Sequence, residues 1–323
     1  MKSKQQALRL NLRLKPIVVA IAMALASAAA QPIPVAWTNT AGGIWSLAGN
    51  WSPAAAPLNG DDVTINLPQT LTVTYNAGTV ALNSLTLGSA TNTLTLTGGT
   101  LGAGTLSSLG VINVNGSTLN ISGGSTALMN MTAASVLNLS GTLALTSFLN
   151  LAGGTLNGGT IQQAGANRLA FSNSTNTLNG MTVRGDLSVL QSNGNAGGLL
   201  VTNGLTVLSQ AGGAPGVVNV GVTGNLSRLG FSGNQSFNNA TINLGSATTV
   251  GNIGLENGGT LTLGANAIVR GSGQVGTARF AGATGSLVNN GLMLADIIAD
   301  TLTINSNTLT NNGILRASGG GLR

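Results

Sequence analysis

The sequence predicts an all-β solenoid, in which short strands coil around one axis and each coil stacks on the next. Two observations lead to this prediction. Apolar residues alternate with Thr, Ser and Asn along most of the chain, which is the period of a half-buried strand. A strand–turn phrase also returns with small changes, in 94–101 (LTLTGGTL), 149–156 (LNLAGGTL) and 258–263 (GGTLTL). Because one such unit cannot bury its apolar side alone, the units must stack on one another.

The composition favours the same fold class. The chain has 49 Gly, 42% apolar and only 6% charged residues, whereas a soluble domain averages about 25% charged residues. The apolar share is too high for a charged, disordered chain. There is no Cys, so packing and hydrogen bonds must stabilise the fold, and thiolate catalysis, thiolate zinc sites and Fe–S clusters are excluded.

Residues 1–30 are predicted to be a secretory signal peptide. A basic start is followed by the apolar run 16–25 and by the small residues 26–30, which fit a cleavage site. The alternative is a signal anchor, but residues 16–30, which include the small residues, make an uncharged stretch of only about 15 residues, short for a membrane span. We therefore expect export through the secretion machinery, to the cell surface or the medium.

The strongly basic balance of the chain comes from this segment. After residue 30 there are seven Arg, no Lys and six acidic residues, a net charge of +1. These arginines are scattered, whereas a nucleic-acid surface needs clustered Lys and Arg. We expect no nucleic-acid partner.

Residues 31–70 are predicted to cap the first coil. They contain all three tryptophans of the chain, Trp37, Trp45 and Trp51. An open solenoid end exposes unpaired backbone groups, and large aromatic side chains at one end suit a cover for it. A carbohydrate-binding platform of exposed Trp rings is the alternative.

Residues 71–323 are predicted to form the solenoid. Strand-like triplets centred on Asn recur, and their spacing is irregular, which fits coils of several strands with corner loops of variable length. Stacked Asn side chains can form amide ladders along the axis. At roughly 20 residues a coil, the mature chain would form about 14 coils. The triplets include 119–121, 137–139, 149–151 and 242–244.

The sequence has few residues that could act in acid–base catalysis. The chain has no His, and the mature part has no Lys, so the usual general base is missing. Asp61 and Asp62 are adjacent and are predicted to serve in a turn and in the cap. Asp296 and Asp300 would lie about 13 Å apart on an extended strand, farther than the carboxylates of a glycosidase pair. A helical turn would bring them closer, and a catalytic pair is then the alternative. We expect no enzyme activity, no cofactor and no metal site.

Arg184, Gly185 and Asp186 spell a receptor-recognition tripeptide. Its mechanism requires Arg and Asp on a tight, exposed turn, with the carboxylate completing a metal site on the receptor. Chance occurrence in a Gly-rich chain is the alternative. The tripeptide is the candidate binding site that the sequence offers.

The opening pattern W…GG.W…NWSP…P..GDDVTI, followed by GGTL and NNG units, resembles bacterial autotransporter passengers and filamentous-haemagglutinin-like surface proteins. The resemblance covers nearly all of the mature chain. It implies a right-handed parallel β-helix exposed at the cell surface and associated with the outer membrane. Autotransporters end in a membrane β-barrel, and no such anchor or barrel follows in this chain. We therefore expect the repeat region to continue beyond Arg323 or the protein to be released.

Together these observations predict an adhesive or structural protein without enzymatic activity. It would bind a host or matrix surface, including polysaccharide, through a repetitive face of Thr, Asn and Ser side chains. The alternative is a polysaccharide lyase or hydrolase on the same scaffold, which would need carboxylates and Arg clustered in one groove.

Overall fold

The structure, a computed structural model, describes residues 31–76, 78–221, 226–246, 249–298 and 300–323. The predicted signal peptide lies outside the described residues. The chain is almost entirely β, with 1% helix, and forms a solenoid of about 12 turns, which confirms the predicted fold class.

The solenoid is built from short strands and one 3₁₀ helix, Ala48–Asn50. The strands are β1 (Pro34–Trp37), β2 (Gly43–Ile44), β3 (Trp51–Ser52), β4 (Asp62–Ile65), β5 (Leu71–Tyr75), β6 (Thr79–Leu87), β7 (Asn92–Leu96), β8 (Thr100–Ser108), β9 (Val111–Val114), β10 (Thr118–Ile121), β11 (Gly124–Thr126), β12 (Met129–Met131), β13 (Val136–Leu139), β14 (Thr142–Leu145), β15 (Leu149–Leu151), β16 (Thr155–Asn157), β17 (Thr160–Gln162) and β18 (Leu169–Phe171). They continue with β19 (Asn176–Arg184), β20 (Leu187–Ser188), β21 (Gly198–Leu208), β22 (Gly216–Val220), β23 (Arg228–Ser232), β24 (Gln235–Phe237), β25 (Ala240–Leu244), β26 (Gly251–Glu256), β27 (Thr260–Leu263), β28 (Ile268–Gly271), β29 (Gly273–Gly276), β30 (Ser286–Asn289), β31 (Leu292–Ala295), β32 (Thr301–Ile304), β33 (Leu309–Asn311), β34 (Ile314–Ala317) and β35 (Gly321–Leu322).

A regular coil has three strands, one on each of three faces, and each strand pairs in parallel with the same strand of the next coil. Face 1 contains β10, β13, β16, β23, β26, β29, β32, β35 and the first halves of β6, β8, β19 and β21. Face 2 contains β1, β4, β11, β14, β17, β24, β27, β30, β33 and the second halves of the same four long strands. Face 3 contains β2, β5, β7, β9, β12, β15, β18, β20, β22, β25, β28, β31 and β34. The right-handed sense of the coil stays a prediction.

Apolar side chains of matched positions stack inside the solenoid. On face 1, one inner row is fully buried through five coils, because each strand alternates an inward Leu with an outward polar residue. Such rows bury apolar area continuously from coil to coil, which is the main stabilising term of the fold. This row consists of Leu101, Leu119, Leu137, Leu156 and Leu178.

The coils vary in length, as the irregular Asn spacing predicts. One coil takes 18 residues between Leu119 and Leu137, and another takes 30 between Val201 and Phe231. Loops at the corners lengthen the later coils, so there are about 12 turns rather than about 14. Asn138 and Asn150 are closer in sequence than one full coil. The reason is that they lie on different faces of the solenoid, Asn138 in β13 and Asn150 in β15.

The segment 31–70 belongs to the start of the solenoid, because its strands β1, β2 and β4 pair in parallel on faces 2 and 3, and its tryptophans are buried. Trp37, Trp45 and Trp51 are 2–3% exposed. The ring of Trp51 meets the other two edge to face, with centroids 4.8 Å apart, and its Nε1 donates to the carbonyl of Trp45 at 2.6 Å. Strand β3 pairs with β1 in the antiparallel sense and so covers the edge of face 2. This geometry fits the predicted cap and not a platform of exposed rings.

Candidate binding surface

Asparagine side chains form a hydrogen-bonded ladder on the outer surface of face 1, of the kind predicted from the repeated triplets. Nδ2 of each Asn donates to Oδ1 of the Asn on the preceding coil, at 2.7, 2.8, 2.9 and 2.7 Å in the four successive bonds. The last residue joins the ladder from a β-bulge, with a φ of +53°. The ladder consists of Asn120, Asn138, Asn157, Asn179 and Asn203.

Threonine occupies three positions of the neighbouring outer row of the same strands, two residues before Asn120, Asn157 and Asn179. The row consists of Thr118, Val136, Thr155, Thr177 and Leu200, so two of its five positions are apolar. Since strand side chains alternate between the two sides of a sheet, the hydroxyl row and the amide row lie side by side on the outer surface. The surface therefore presents neutral hydrogen-bonding groups at the spacing of the coils, about 4.8 Å.

A groove of about 450 Å³ opens where this ladder begins. The two preceding coils carry Ala81 and Gly102 in the row of Asn120, so no long side chain fills the row there. Because Oδ1 of Asn120 accepts from Asn138, its Nδ2 is directed towards the groove as a donor. Hydroxyl groups line the same groove, from Thr79, Thr100, Ser122 and Ser140.

Faces 2 and 3 carry shorter polar rows. On face 3, Asn130 donates to Asn113 at 2.9 Å and Asn150 donates to Asn130 at 2.8 Å. Face 2 has a row of four Thr in consecutive coils. Its members are Thr142, Thr160, Thr182 and Thr206.

The predicted receptor tripeptide lies at the corner between faces 2 and 3. Arg184 ends β19, Gly185 turns the corner with a φ of +98°, and Asp186 is exposed. Nε2 of Gln163 donates to the carbonyl of Asp186 at 2.9 Å and so fixes the corner. The Arg184 side chain lies against Gly212 of the next corner loop, where an added Cβ would come within 2.9 Å of its Nε. The tripeptide therefore presents its carboxylate more openly than its guanidinium, and its use as a receptor site stays a prediction.

The acidic residues are spread over the solenoid. Asp61 accepts the N–H of Leu58 at 2.8 Å in a turn, as predicted, whereas Asp62 points outward from β4. Hydrogen bonds from Ser84 and Asn83 hold the pKa of Asp62 below its ordinary value of 3.8, against a smaller opposing effect of burial. In the described part of the chain, no three His, Cys, Asp or Glu side chains come together as metal ligands.

Asp296 and Asp300 flank a turn, which is the alternative to an extended strand. The N–H of Asp300 donates to the carbonyl of Ile297 at 3.2 Å. Asp296 forms an ion pair with Arg270, and Asp300 accepts the N–H of Thr301 at 3.0 Å. Each carboxylate therefore has its own partner, and the expected separation of about 13 Å does not apply because the segment turns.

Sequence reasoning missed a loop that folds back over face 1. This strap loop, residues 277–285, is held by Glu256, which is fully buried. The carboxylate accepts main-chain N–H groups from Arg279 at 2.7 Å, Phe280 at 3.1 Å and Ala281 at 3.0 Å. The Phe280 ring covers Gly230, where an added Cβ would lie 2.7 Å from the ring. The strap loop covers part of the later coils of face 1, where every residue of β26 is buried, whereas outer residues of β32 and β35 stay partly exposed.

Comparison of the chain with known protein families, with curated proteins and with solved structures found no match. Among the residues described, no helix has the length and apolar character needed to cross a membrane.

Proposed function

We propose that this protein is an exported, non-enzymatic surface scaffold that binds neutral polysaccharide through the Thr and Asn rows of face 1. The observation that carries the proposal is the ladder from Asn120 to Asn203, which holds five amides in one line on an outer surface. Amides and hydroxyls match the hydroxyl groups of a sugar, since both can donate and accept hydrogen bonds.

The repeat supports binding to a polymer. Each coil of the ladder adds an Asn amide about 4.8 Å further along the axis, and three of the five coils also add a Thr hydroxyl. Contacts that are individually weak add up when one chain meets many of them, because later contacts form at a high effective concentration. The groove at Ala81 and Gly102 gives the polymer a recessed place at one end of the row.

The chemistry of the groove supports a binding role over a catalytic one. General acid–base catalysis needs two titratable groups near one bond, and the residues that line the groove carry no charge. Export and a position at the cell surface are part of the same proposal. They are supported by the basic, apolar and small-residue segments of residues 1–30.

Incubation of the full chain with insoluble cellulose, chitin and mannan tests the proposal. We expect retention on at least one polymer without release of reducing ends. Replacing Asn138 and Asn157 together with Leu should reduce retention at least tenfold, whereas Thr160→Ala with Thr182→Ala on face 2 should leave it unchanged. Turnover that disappears in Asp296→Asn or Asp300→Asn would reject the scaffold in favour of a polysaccharide-processing enzyme.

A further inference from the structure

The ladder on face 3 ends on an acceptor that has no donor. Oδ1 of Asn113 and of Asn130 each accept from the Asn of the next coil, but the coil after Asn150 places Ala170 in that row. Oδ1 of Asn150 is buried and has no hydrogen-bond partner in the described part of the chain. A buried acceptor without a partner costs free energy, so this atom favours a ligand that can donate a hydrogen bond.

A cavity of about 160 Å³ lies beside this atom. It exists because Ala170 is too short to fill the row. Its walls combine the small side chains of Ala152 and Ala170 with polar groups of Ser172, Gln191 and Ser192. The cavity can therefore take a small polar group and hydrogen-bond to it.

A guanidinium group lies next to the cavity and has no carboxylate partner among the residues that the structure describes. Arg168 precedes β18 and stacks over the Phe148 ring, 5.2 Å from its centroid. Its Nη2 reaches the carbonyl of Gln191, which lines the cavity, at 3.5 Å. Its Nη1 is buried without a partner. The ion pair found among the described residues involves a different arginine, Arg270.

Arg168 and Asn150 face the same side of face 3. Asn150 lies on β15 and Arg168 immediately precedes the paired strand β18, so the two residues are about 6.6 Å apart along the strand and about 4.8 Å across it. Nη1 of Arg168 lacks a hydrogen-bond acceptor, and Oδ1 of Asn150 lacks a hydrogen-bond donor. Burial lowers the pKa of Arg168, but a guanidinium stays protonated in proteins and keeps its charge. A bound anion would restore the stabilisation that this charge loses away from water.

We propose that Arg168 and Asn150 form a site for a uronic-acid residue of an acidic polysaccharide. The sugar carboxylate accepts from Nη1 of Arg168, and a neighbouring hydroxyl donates to Oδ1 of Asn150. A carboxylate fits because the guanidinium is the one charged group identified there and matches one negative charge. A phosphate monoester carries more charge than this site neutralises. The site is distinct from the neutral surface of face 1 and adds a charged sugar to what the scaffold binds.

Calorimetric titration of the full chain with an oligogalacturonide tests this site. The control ligand is the same oligosaccharide with its carboxyl groups methyl-esterified, which removes the charge and keeps the hydroxyls. We expect binding of the acid, at least tenfold weaker binding of the ester, and at least tenfold weaker binding of the acid to Arg168→Gln. Tighter binding of inorganic phosphate than of the oligogalacturonide would overturn the assignment to a carboxylate.

Two substitutions at Ala170 separate the ligand site from general stability. Ala170→Asn adds an amide donor in the row of Asn150, and we expect this amide to donate a hydrogen bond to Oδ1 of Asn150. The substitution should therefore raise Tm and abolish oligogalacturonide binding. Ala170→Leu fills the cavity without a donor, so it should abolish binding without raising Tm. Unchanged binding in Ala170→Asn and Arg168→Gln would overturn the proposal. Because the Asn138 and Asn157 variants of face 1 should bind the acid normally, failure here is distinguishable from failure of the neutral surface.

Discussion

The carboxylate of Glu256 accepts the main-chain N–H of Phe280 at 3.1 Å, 24 residues further along the chain. Two more N–H groups of the strap loop, from Arg279 and Ala281, donate to the same carboxylate. A fully buried acid is thereby satisfied by backbone donors, and it ties the strap loop to the outer surface of face 1. Hydrogen bonds to a charged acceptor are stronger than those between neutral groups.

Glu256→Gln should therefore loosen the strap loop. Glutamine has one acceptor oxygen in place of two, and its NH₂ group would face a main-chain N–H, so that two donors meet. We therefore expect a loss of about 1–3 kcal/mol in the free energy of unfolding. Hydrogen exchange at the N–H groups of 279–281 should become faster at the same time. Asp300→Asn is the matched control, because Asp300 is only half-buried. Equal stability of the two variants would show that Glu256 does not hold the loop.

Removing one cap tryptophan should destabilise the whole solenoid. Trp51 packs against Trp37 and Trp45 and is 2% exposed, so we expect Trp51→Ala to cost about 3–5 kcal/mol and to promote aggregation. Urea denaturation and size-exclusion chromatography measure these two effects. Leu58→Ala, at a position 69% exposed, should change stability by less than about 0.5 kcal/mol. A soluble, monomeric Trp51→Ala protein of unchanged stability would contradict the cap.

Removing an Asn from the middle of the ladder should lower the free energy of unfolding more than removing a neighbouring Thr hydroxyl. Asn157 donates to Asn138 at 2.8 Å and accepts from Asn179 at 2.9 Å. Asn157→Ala removes both bonds, and we expect a loss of about 1–3 kcal/mol. Thr155→Ala, on the same strand, leaves the ladder intact and should cost less. The comparison is made by urea denaturation, and equal losses would argue that the amides do not act as a ladder.

Tyr75 reports on the cap through its ionisation. Burial raises the pKa of this phenol above its ordinary value of 10.0, and a hydrogen bond with the backbone of Val80 partly offsets the effect. Because the folded-state pKa is the higher one, the related stability is complete below pH 10 and is lost as the pH rises through the folded-state pKa. The chain has one Tyr, so its phenolate absorbance can be titrated directly. A midpoint at or below 10 in the folded protein would contradict the buried position.

The stacked strands could be predicted from the sequence, because they depend on the alternation of apolar and polar residues along each strand. Triplets such as 119–121 indicate which side chain points inward, and stacking of equivalent triplets places Asn138 beside Asn120. The strap loop could not be predicted in this way. Its bonds join the Glu256 side chain to backbone N–H groups, which any residue except Pro supplies, so residues 279–281 contain no pattern that indicates the contact.

The site at Arg168 and Asn150 on face 3 could not be predicted from the sequence either. Arg168 looks like any scattered surface charge until the coil places it over Phe148. The end of the ladder depends on which residue pairs with Asn150, and that register follows from the lengths of the corner loops. Sequence periodicity does not give those lengths, because loops tolerate insertions at little cost.

The repetitive binding face predicts that affinity for an oligosaccharide depends on the length of the oligosaccharide. Neutral oligosaccharides from disaccharide to hexasaccharide, prepared from the polymer that retains the full chain, are titrated by calorimetry. If successive Thr and Asn rungs of face 1 bind one sugar chain together, affinity should rise at each step, and Asn157→Ala should end the rise early. Affinity that is already constant from the disaccharide onward, or no binding at any length, would contradict the repetitive binding face.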